Sequence, residues 1–181
     1  MKKLLVGALV GGLLVFIWQT VSWTVLGLHE KEYQHTPKQD SIISYLSSQF
    51  AADGQYLIPR EAPGSSMEEM QQVADKMTGK PWAIVSYHQS YKLNMGMNII
   101  RGLLTSILSV FLVCWILAKN SSPTFGSTFL ATVFIGIVGY LFIPYSAHIW
   151  YATPDATTNL VDVLLSWGLC GLWLGWWLPR K

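Results

Sequence analysis

The chain has 181 residues, of which 51% are hydrophobic and only 12% are charged. Soluble domains usually contain about 25% charged residues, so this chain has roughly half the usual share. The formal net charge is +2, and no basic stripe interleaved with aromatic residues is present. This composition excludes an average soluble enzyme, a disordered tail and a nucleic-acid-binding domain. It predicts an integral membrane protein.

Four segments are long and apolar enough to cross a bilayer. A spanning helix needs roughly 20 apolar residues because the hydrocarbon core is about 30 Å thick. The segments are 4–28, 98–118, 125–145 and 159–178. The first is longer than the apolar region of a cleaved signal peptide, and no A-x-A-like site follows it, so we expect an uncleaved anchor. The predicted fold class is an all-α membrane protein with four transmembrane helices.

The segment between the first two spans, residues 29–97, holds most of the charges of the chain. Apolar residues at helical spacing predict a helix over 39–50, and a second helix begins near Ser66, which has a capping-box spacing to Glu69. Short strands are predicted over 55–58 and 82–88. We therefore expect three parts: a first transmembrane helix (1–28), a small α+β extracytoplasmic insertion (29–97) and a three-helix membrane region (98–181).

Methionines recur on one face of the second helix of the insertion. Met67, Met70 and Met77 share this face with Val73. The pattern predicts that these side chains form the small core of the insertion. A groove that binds a partner through the methionines is the alternative.

Basic residues indicate the orientation. Four spans place both termini and the 119–124 loop on the same side. That side collects Lys2, Lys3, Lys119, Arg180 and Lys181, whereas the 146–158 loop opposite has no basic residue. Because basic residues concentrate in short cytoplasmic loops, both termini are predicted to be cytoplasmic and 29–97 extracytoplasmic.

The sequence has no recognisable catalytic or metal-binding signature. GxSxG, HExxH, P-loop and Rossmann patterns are absent. Cys114 and Cys170 both fall inside spans and outside the oxidising compartment, so we expect neither a disulfide nor a zinc site. We therefore predict no catalytic residue and no metal ligand.

Two pairs of glycines lie four residues apart inside spans, where small residues let helices approach closely. Gly7 and Gly11 lie in the first span, and Gly171 and Gly175 lie in the fourth. The pattern predicts helix packing within the bundle or, alternatively, oligomerisation.

Two charged residues lie inside the predicted spans. Arg101 and Asp162 each fall about one turn from the outer end of their helix, at similar depth. An ionisable group in a membrane is costly and usually faces the interior or a partner. We predict a structural pair between Arg101 and Asp162. As alternatives, Arg101 could extend outward to the interface, or Asp162 could carry protons or bind a ligand.

All four histidines fall on the predicted outer side. Imidazoles can ligate haem or hydrogen-bond a quinol, so His29, His88 and His148 form a possible ligand site. No two of them have the spacing of ligands on one helix. We therefore favour ordinary interfacial hydrogen bonds for these histidines and predict no cofactor, with the haem or quinol site as the alternative.

Four sequence stretches carry a family likeness. They are WQTVSWTVLGLH (18–29), GQYLIP (54–59), YSAHIWY (145–151) and DVLLSW (162–167). On these stretches the chain resembles a group of uncharacterised small bacterial inner-membrane proteins. It departs from their pattern at Gly27-Leu28, where they have Pro-Trp. The resemblance implies four spans, a bacterial inner-membrane location and no assigned activity, and it makes seven residues the first to test: Trp18, Ser22, Trp23, His29, Tyr56, Pro59 and Asp162.

The sequence therefore leads to a functional expectation. We expect a non-catalytic membrane protein that acts as an accessory or scaffold subunit of a larger bacterial envelope complex. Its partners would be other integral membrane subunits, or copies of itself, within the lipid bilayer. A redox-associated protein that binds quinol or haem through the outer histidines is the alternative. A small transporter that uses Asp162 is a third candidate.

Overall fold

The computed structural model describes residues 1–180 and is 65% helix. Four helical segments are long and apolar enough to cross a membrane: Lys2–Val25, Met95–Leu117, Phe125–Trp150 and Ala156–Trp177. By this criterion the chain is a multi-pass membrane protein, which confirms the four predicted spans. Lys181, which contributes to the predicted orientation, lies outside the described residues.

Each of the four candidate spans is a continuous run of helical residues. In chain order the elements are α1 (Lys2–Thr20), α2 (Gln39–Gln49), β1 (Gly54–Ile58), α3 (Met67–Met77), β2 (Ala83–Tyr87), α4 (Met95–Leu117), α5 (Phe125–Tyr140), α6 (Ser146–Trp150) and α7 (Ala156–Trp177). Five-residue π-helical turns extend α1 over Val21–Val25 and join α5 to α6 over Leu141–Tyr145.

The chain forms two compact units. The membrane unit comprises Met1–Gln34 and the chain from Asn94 onward, and the insertion unit comprises His35–Leu93. In the membrane unit, α1 packs against both α4 and α7, and α5 packs against α7. The buried core lies between α1, α4 and α7 and consists of Val15, Val110, Val113, Cys114, Cys170 and Leu174. Both cysteines are free thiols within this core.

The four predicted packing glycines all lie at contacts between helices of this unit. A Cβ atom on Gly11 would lie 2.9 Å from Val110 Cγ1, and one on Gly7 would lie 3.1 Å from the sulfur of Cys114. Gly171 and Gly175 face Phe129 and Phe125 of α5 in the same way. In the structure, these glycine faces therefore serve packing inside one chain.

The insertion unit has the predicted order of helix, strand, helix and strand. Strands β1 and β2 pair antiparallel, with Gly54 opposite Tyr87 and Ile58 opposite Ala83. The predicted capping box is also present at the start of α3. The Ser66 amide donates to Glu69 Oε2 at 2.7 Å, and the Glu69 amide donates to Ser66 Oγ at 3.2 Å. These bonds satisfy two amides that the helix itself leaves unpaired.

The methionine face is only partly covered, so the prediction that it forms the core holds in part. Met67 and Met70 are 81% and 37% exposed, whereas Val73 and Met77 are half-buried. The one fully buried side chain among residues 35–93 is Tyr87, which belongs to an aromatic cluster. The Phe50 ring stacks on Tyr56 at 3.9 Å between centroids and meets Tyr87 edge-on at 5.3 Å. A sheet of only two strands has too small a face to cover both an aromatic cluster and a row of methionines.

We predict that Gly12→Ala destabilises the membrane unit. A Cβ atom at Gly12 would lie 2.5 Å from Ile107 Cα, which is backbone and cannot move aside alone. We expect a loss of roughly 1–3 kcal/mol, as for other overpacked contacts. Thermal unfolding in detergent, followed by circular dichroism, measures this loss. Gly139→Ala is the matched control because no atom lies within 4 Å of its added Cβ, and equal stability of the two variants would contradict the prediction.

Candidate functional site

The end of the first span turns back on itself. The π turn carries the helix to Val25, and the Leu28 amide donates to the Ser22 carbonyl at 3.1 Å. Gly27 has a φ of +58°, in the left-handed region that glycine adopts without steric cost. A side chain there would also lie 2.7 Å from the Glu30 carboxylate. This reversal brings His29 back against the helix bundle.

The Asp162 carboxylate in α7 accepts hydrogen bonds from three side chains at this end of the bundle. Trp18 Nε1 donates to Oδ1 at 3.1 Å, and Ser22 Oγ donates to the same oxygen at 2.7 Å. His29 Nε2 lies 2.9 Å from Oδ2. Because Trp18 and Ser22 are one helical turn apart, they present their donors on one face of α1. The carboxylate therefore ties the first span to the last.

The His29 imidazole lies between two carboxylates. Its Nε2 faces Asp162, and its Nδ1 lies 2.9 Å from Glu32 Oε2. The histidine is buried, with 5% of its surface exposed. The Trp23 indole stacks on the imidazole at 3.9 Å between centroids and 5° between planes, which covers one ring face. When protonated, the ring donates one hydrogen bond to each carboxylate.

The surrounding groups favour the charged form of this histidine. Burial lowers the pKa of His29, but the hydrogen bonds and charges of Asp162 and Glu32 raise it, and the net pKa lies above the ordinary 6.5. The hydrogen bond to Glu32 likewise raises the pKa of Tyr33. Burial raises the pKa of Asp155, but hydrogen bonds from Thr153 and Asn159 and the nearby charge of His29 bring it below its ordinary value.

The predicted pair between Arg101 and Asp162 is not formed. Within residues 1–180 the ion-pair partner of Asp162 is His29, and no ion pair or hydrogen bond includes Arg101. The physical reason is that α7 packs on α1 and α5, and its Asp162 faces the end of α1. Arg101 remains exposed on α4.

The three histidines of the predicted ligand site have separate partners. His29 is held by Glu32 and Asp162, and His148 Nδ1 accepts a hydrogen bond from the Thr153 amide at 3.0 Å. His88 belongs to the insertion unit and lies 3.6 Å from Asp53. Among the described residues, no group of three His, Cys, Asp or Glu side chains has the geometry of a metal site.

Five of the seven residues that the family resemblance singles out form one cluster. We define the polar clamp as Trp18, Ser22, Trp23, His29, Glu32 and Asp162. Tyr56 and Pro59 lie outside it, in the insertion unit, where the Tyr56 hydroxyl donates to the Ala52 carbonyl. Sequence reasoning missed Glu32. Its position three residues after His29 is the one available signal for this contact.

The polar clamp can hold a charge and move a proton, but each of its strongest groups is already engaged. Both nitrogens of His29 and both oxygens of Asp162 have partners within the chain. An imidazole in this state has no free lone pair for a metal or haem iron unless it first breaks one of these contacts. Its arrangement is typical of a buried structural pair that also responds to pH.

Together, the fold and the polar clamp define a multi-pass membrane protein whose first and last spans are joined through a half-buried carboxylate. The chain matches no protein-family model, no curated protein and no solved structure. The resemblance to small bacterial inner-membrane proteins therefore stays a prediction.

We predict that Asp162→Ala strongly destabilises the membrane unit. The substitution leaves the donors of Trp18, Ser22 and His29 without their acceptor, and breaking a buried pair in this way costs roughly 3–5 kcal/mol. Chemical unfolding in detergent measures the change. Asp40→Ala, on the exposed helix α2, and Arg101→Gln should each cost less than about 1 kcal/mol. A larger effect of Arg101→Gln than of Asp162→Ala would contradict the assignment of His29 as the partner.

We also predict a pH dependence that originates at His29. Because the folded-state pKa is raised above 6.5, the stability it contributes is fully present below about pH 6.5 and is lost as the pH rises through the folded-state value. The free energy of unfolding should change by no more than about 1.4 kcal/mol per pH unit through this one group. His29→Gln should remove this slope, whereas His35→Gln, at an exposed position, should retain it. Unfolding at a series of pH values tests this, and an unchanged slope in His29→Gln would contradict it.

Proposed function

We propose that the chain is a non-catalytic integral membrane protein that serves as an accessory or scaffold subunit of a larger envelope complex. The observation that carries the proposal is the exposed apolar surface of the insertion unit. Ile42 and Ile43 on α2 are 47% and 53% exposed, and Met67 and Met70 on α3 are also exposed. In a unit without a membrane span, such side chains are typical of a surface that a partner covers.

The polar clamp supports the non-catalytic part of this proposal. A catalytic group needs a free lone pair or proton directed at a substrate. In the polar clamp, the imidazole and the carboxylate of Asp162 are directed at one another and at neighbouring side chains. Their hydrogen bonds join α1 to α7, so their chemistry is used to hold the bundle together.

The location follows from the resemblance and from the basic residues. We propose the bacterial cytoplasmic membrane, with both termini cytoplasmic and residues 29–97 extracytoplasmic. Lys2, Lys3, Lys119 and Arg180 all lie at the same end of the antiparallel bundle, as the positive-inside rule requires of a cytoplasmic face. The insertion unit would then meet its partner outside the cytoplasm.

A quinol-binding protein is the second candidate, and one observation favours it. A cavity of about 270 Å³ lies between α1 and α4 and reaches α7. Its lining includes the hydrogen-bonding side chains of Gln19, Thr105 and Ser109 together with the Trp167 indole. Neutral polar groups beside an aromatic ring suit an uncharged head group dissolved in the bilayer. This site would not use the outer histidines, because His29 is engaged in the polar clamp.

The accessory function predicts a protein partner that depends on the exposed apolar side chains. We expect purification in mild detergent to yield one or more membrane subunits in stoichiometric amount. The double variant Ile42→Ser/Ile43→Ser should reduce their recovery at least tenfold, because it removes apolar contact area. Mass spectrometry with quantified subunit ratios measures the result.

The matched control is a second double variant on the same helix, α2. Ser44→Ala/Ser48→Ala on α2 should retain the partner, and thermal unfolding should be unchanged in both double variants. A preparation that contains this chain alone would contradict the accessory function. Bound quinone in that preparation, lost in Thr105→Val/Ser109→Ala, would establish the second candidate instead.

A further inference from the structure

One end of the membrane unit carries positive charge without any compensating carboxylate in its helices. Lys2 and Lys3 begin α1, Lys119 follows α4, and Arg180 follows α7. Residues 1–29, 76–154 and 163–181 contain no Asp or Glu. Like charges close to a region of low dielectric repel one another, so an anion at this end would be stabilised.

A cavity lies among three of these cations. It measures about 400 Å³ and is lined by Lys2, Lys3, Val6, Trp177 and Arg180. Its walls are therefore mixed, because Val6 and the Trp177 ring are apolar whereas the other three side chains are basic. Lys119 does not line it and instead lies 4.5 Å from the Trp115 ring centroid.

Hydrogen bonds between α1 and α7 hold the walls of this cavity in place. Trp177 Nε1 donates to the Lys3 carbonyl at 2.9 Å, and Lys3 Nζ donates to the Arg180 carbonyl. The Arg180 guanidinium carbon lies 3.3 Å above the centroid of the Trp176 ring. These contacts fix the positions of both helix ends while leaving the lysine and arginine charges without an anionic partner among residues 1–180.

We propose that this cavity binds the head group of an anionic phospholipid. The phosphate oxygens accept hydrogen bonds from Lys2 and Arg180, and the first carbons of an acyl chain pack on Val6 and Trp177. Basic pockets between helix ends are suited to such head groups, and the mixed lining matches an amphiphile better than a free ion. The inference does not depend on the proposed accessory function, because no residue that lines the cavity belongs to the insertion unit.

The test measures lipid binding to the purified full-length chain by native mass spectrometry. Phosphatidylglycerol and phosphatidylcholine with identical acyl chains serve as the probes. We expect clear retention of phosphatidylglycerol over phosphatidylcholine. Lys2→Gln/Arg180→Gln should weaken phosphatidylglycerol binding by about fivefold for each cation removed. Lys80→Gln/Lys119→Gln has the same net charge and should weaken it less than twofold.

Three outcomes would overturn the proposal. Equal retention of the two lipids would show that the head-group charge is not recognised. Equal weakening by the two double variants would show a general effect of charge and not a site. Displacement of the lipid by inorganic phosphate alone, without any contribution from an acyl chain, would assign the cavity to a free anion. If Lys2→Gln/Arg180→Gln fails to fold, the single variants Lys2→Gln and Lys119→Gln are compared instead. Lys2→Gln should then weaken phosphatidylglycerol binding more than Lys119→Gln does, and equal weakening would overturn the proposal.

Discussion

The membrane unit depends on one carboxylate whose hydrogen bonds are satisfied by another helix. Asp162 lies six residues inside α7, where water is scarce and an unpaired charge is costly. Trp18, Ser22 and His29 supply three donors to it, and all three belong to the first span or to the turn that follows. Because first and last spans are far apart in the chain, this contact closes the bundle.

The opposite end of the same helix pair is joined differently. There, the indoles of Trp173 and Trp177 donate to the backbone carbonyls of Gly7 and Lys3. The missing side chain of Gly7 lets α7 approach closely enough for its indole to reach that carbonyl. Tryptophan indoles therefore join α1 and α7 at both ends. At one end Trp18 donates to the Asp162 carboxylate, and at the other end Trp173 and Trp177 donate to backbone carbonyls of α1. Between the two ends, the contact is apolar and includes Val15, Cys170 and Leu174.

The two ends also differ in charge, and this difference organises the functional proposals. In the polar clamp, His29 lies between the carboxylates of Asp162 and Glu32, so each of these ionisable groups has a partner within the chain. Among residues 1–180, Lys2, Lys3 and Arg180 at the basic end have no carboxylate partner, which is the basis for the proposed binding of a lipid anion there. The insertion unit adds a third surface, which is apolar. A protein whose interior ionisable groups are paired, and whose outer surfaces expose apolar and basic side chains, is suited to assembly with lipids and with other subunits.

Sequence alone determined the architecture, and tertiary structure decided the partners. Four spans, the insertion and the capping box of α3 are local, because apolar length and i, i+3 spacing are read along the chain. Asp162 was also identified from sequence, since a charge inside a span needs a partner. The partner of Asp162 was not identified from sequence. The sequence shows that Arg101 lies at a similar depth in its span, but it does not show which helices pack against α7. Only the packed bundle, and the reversal at Gly27, placed His29 and not Arg101 beside that carboxylate.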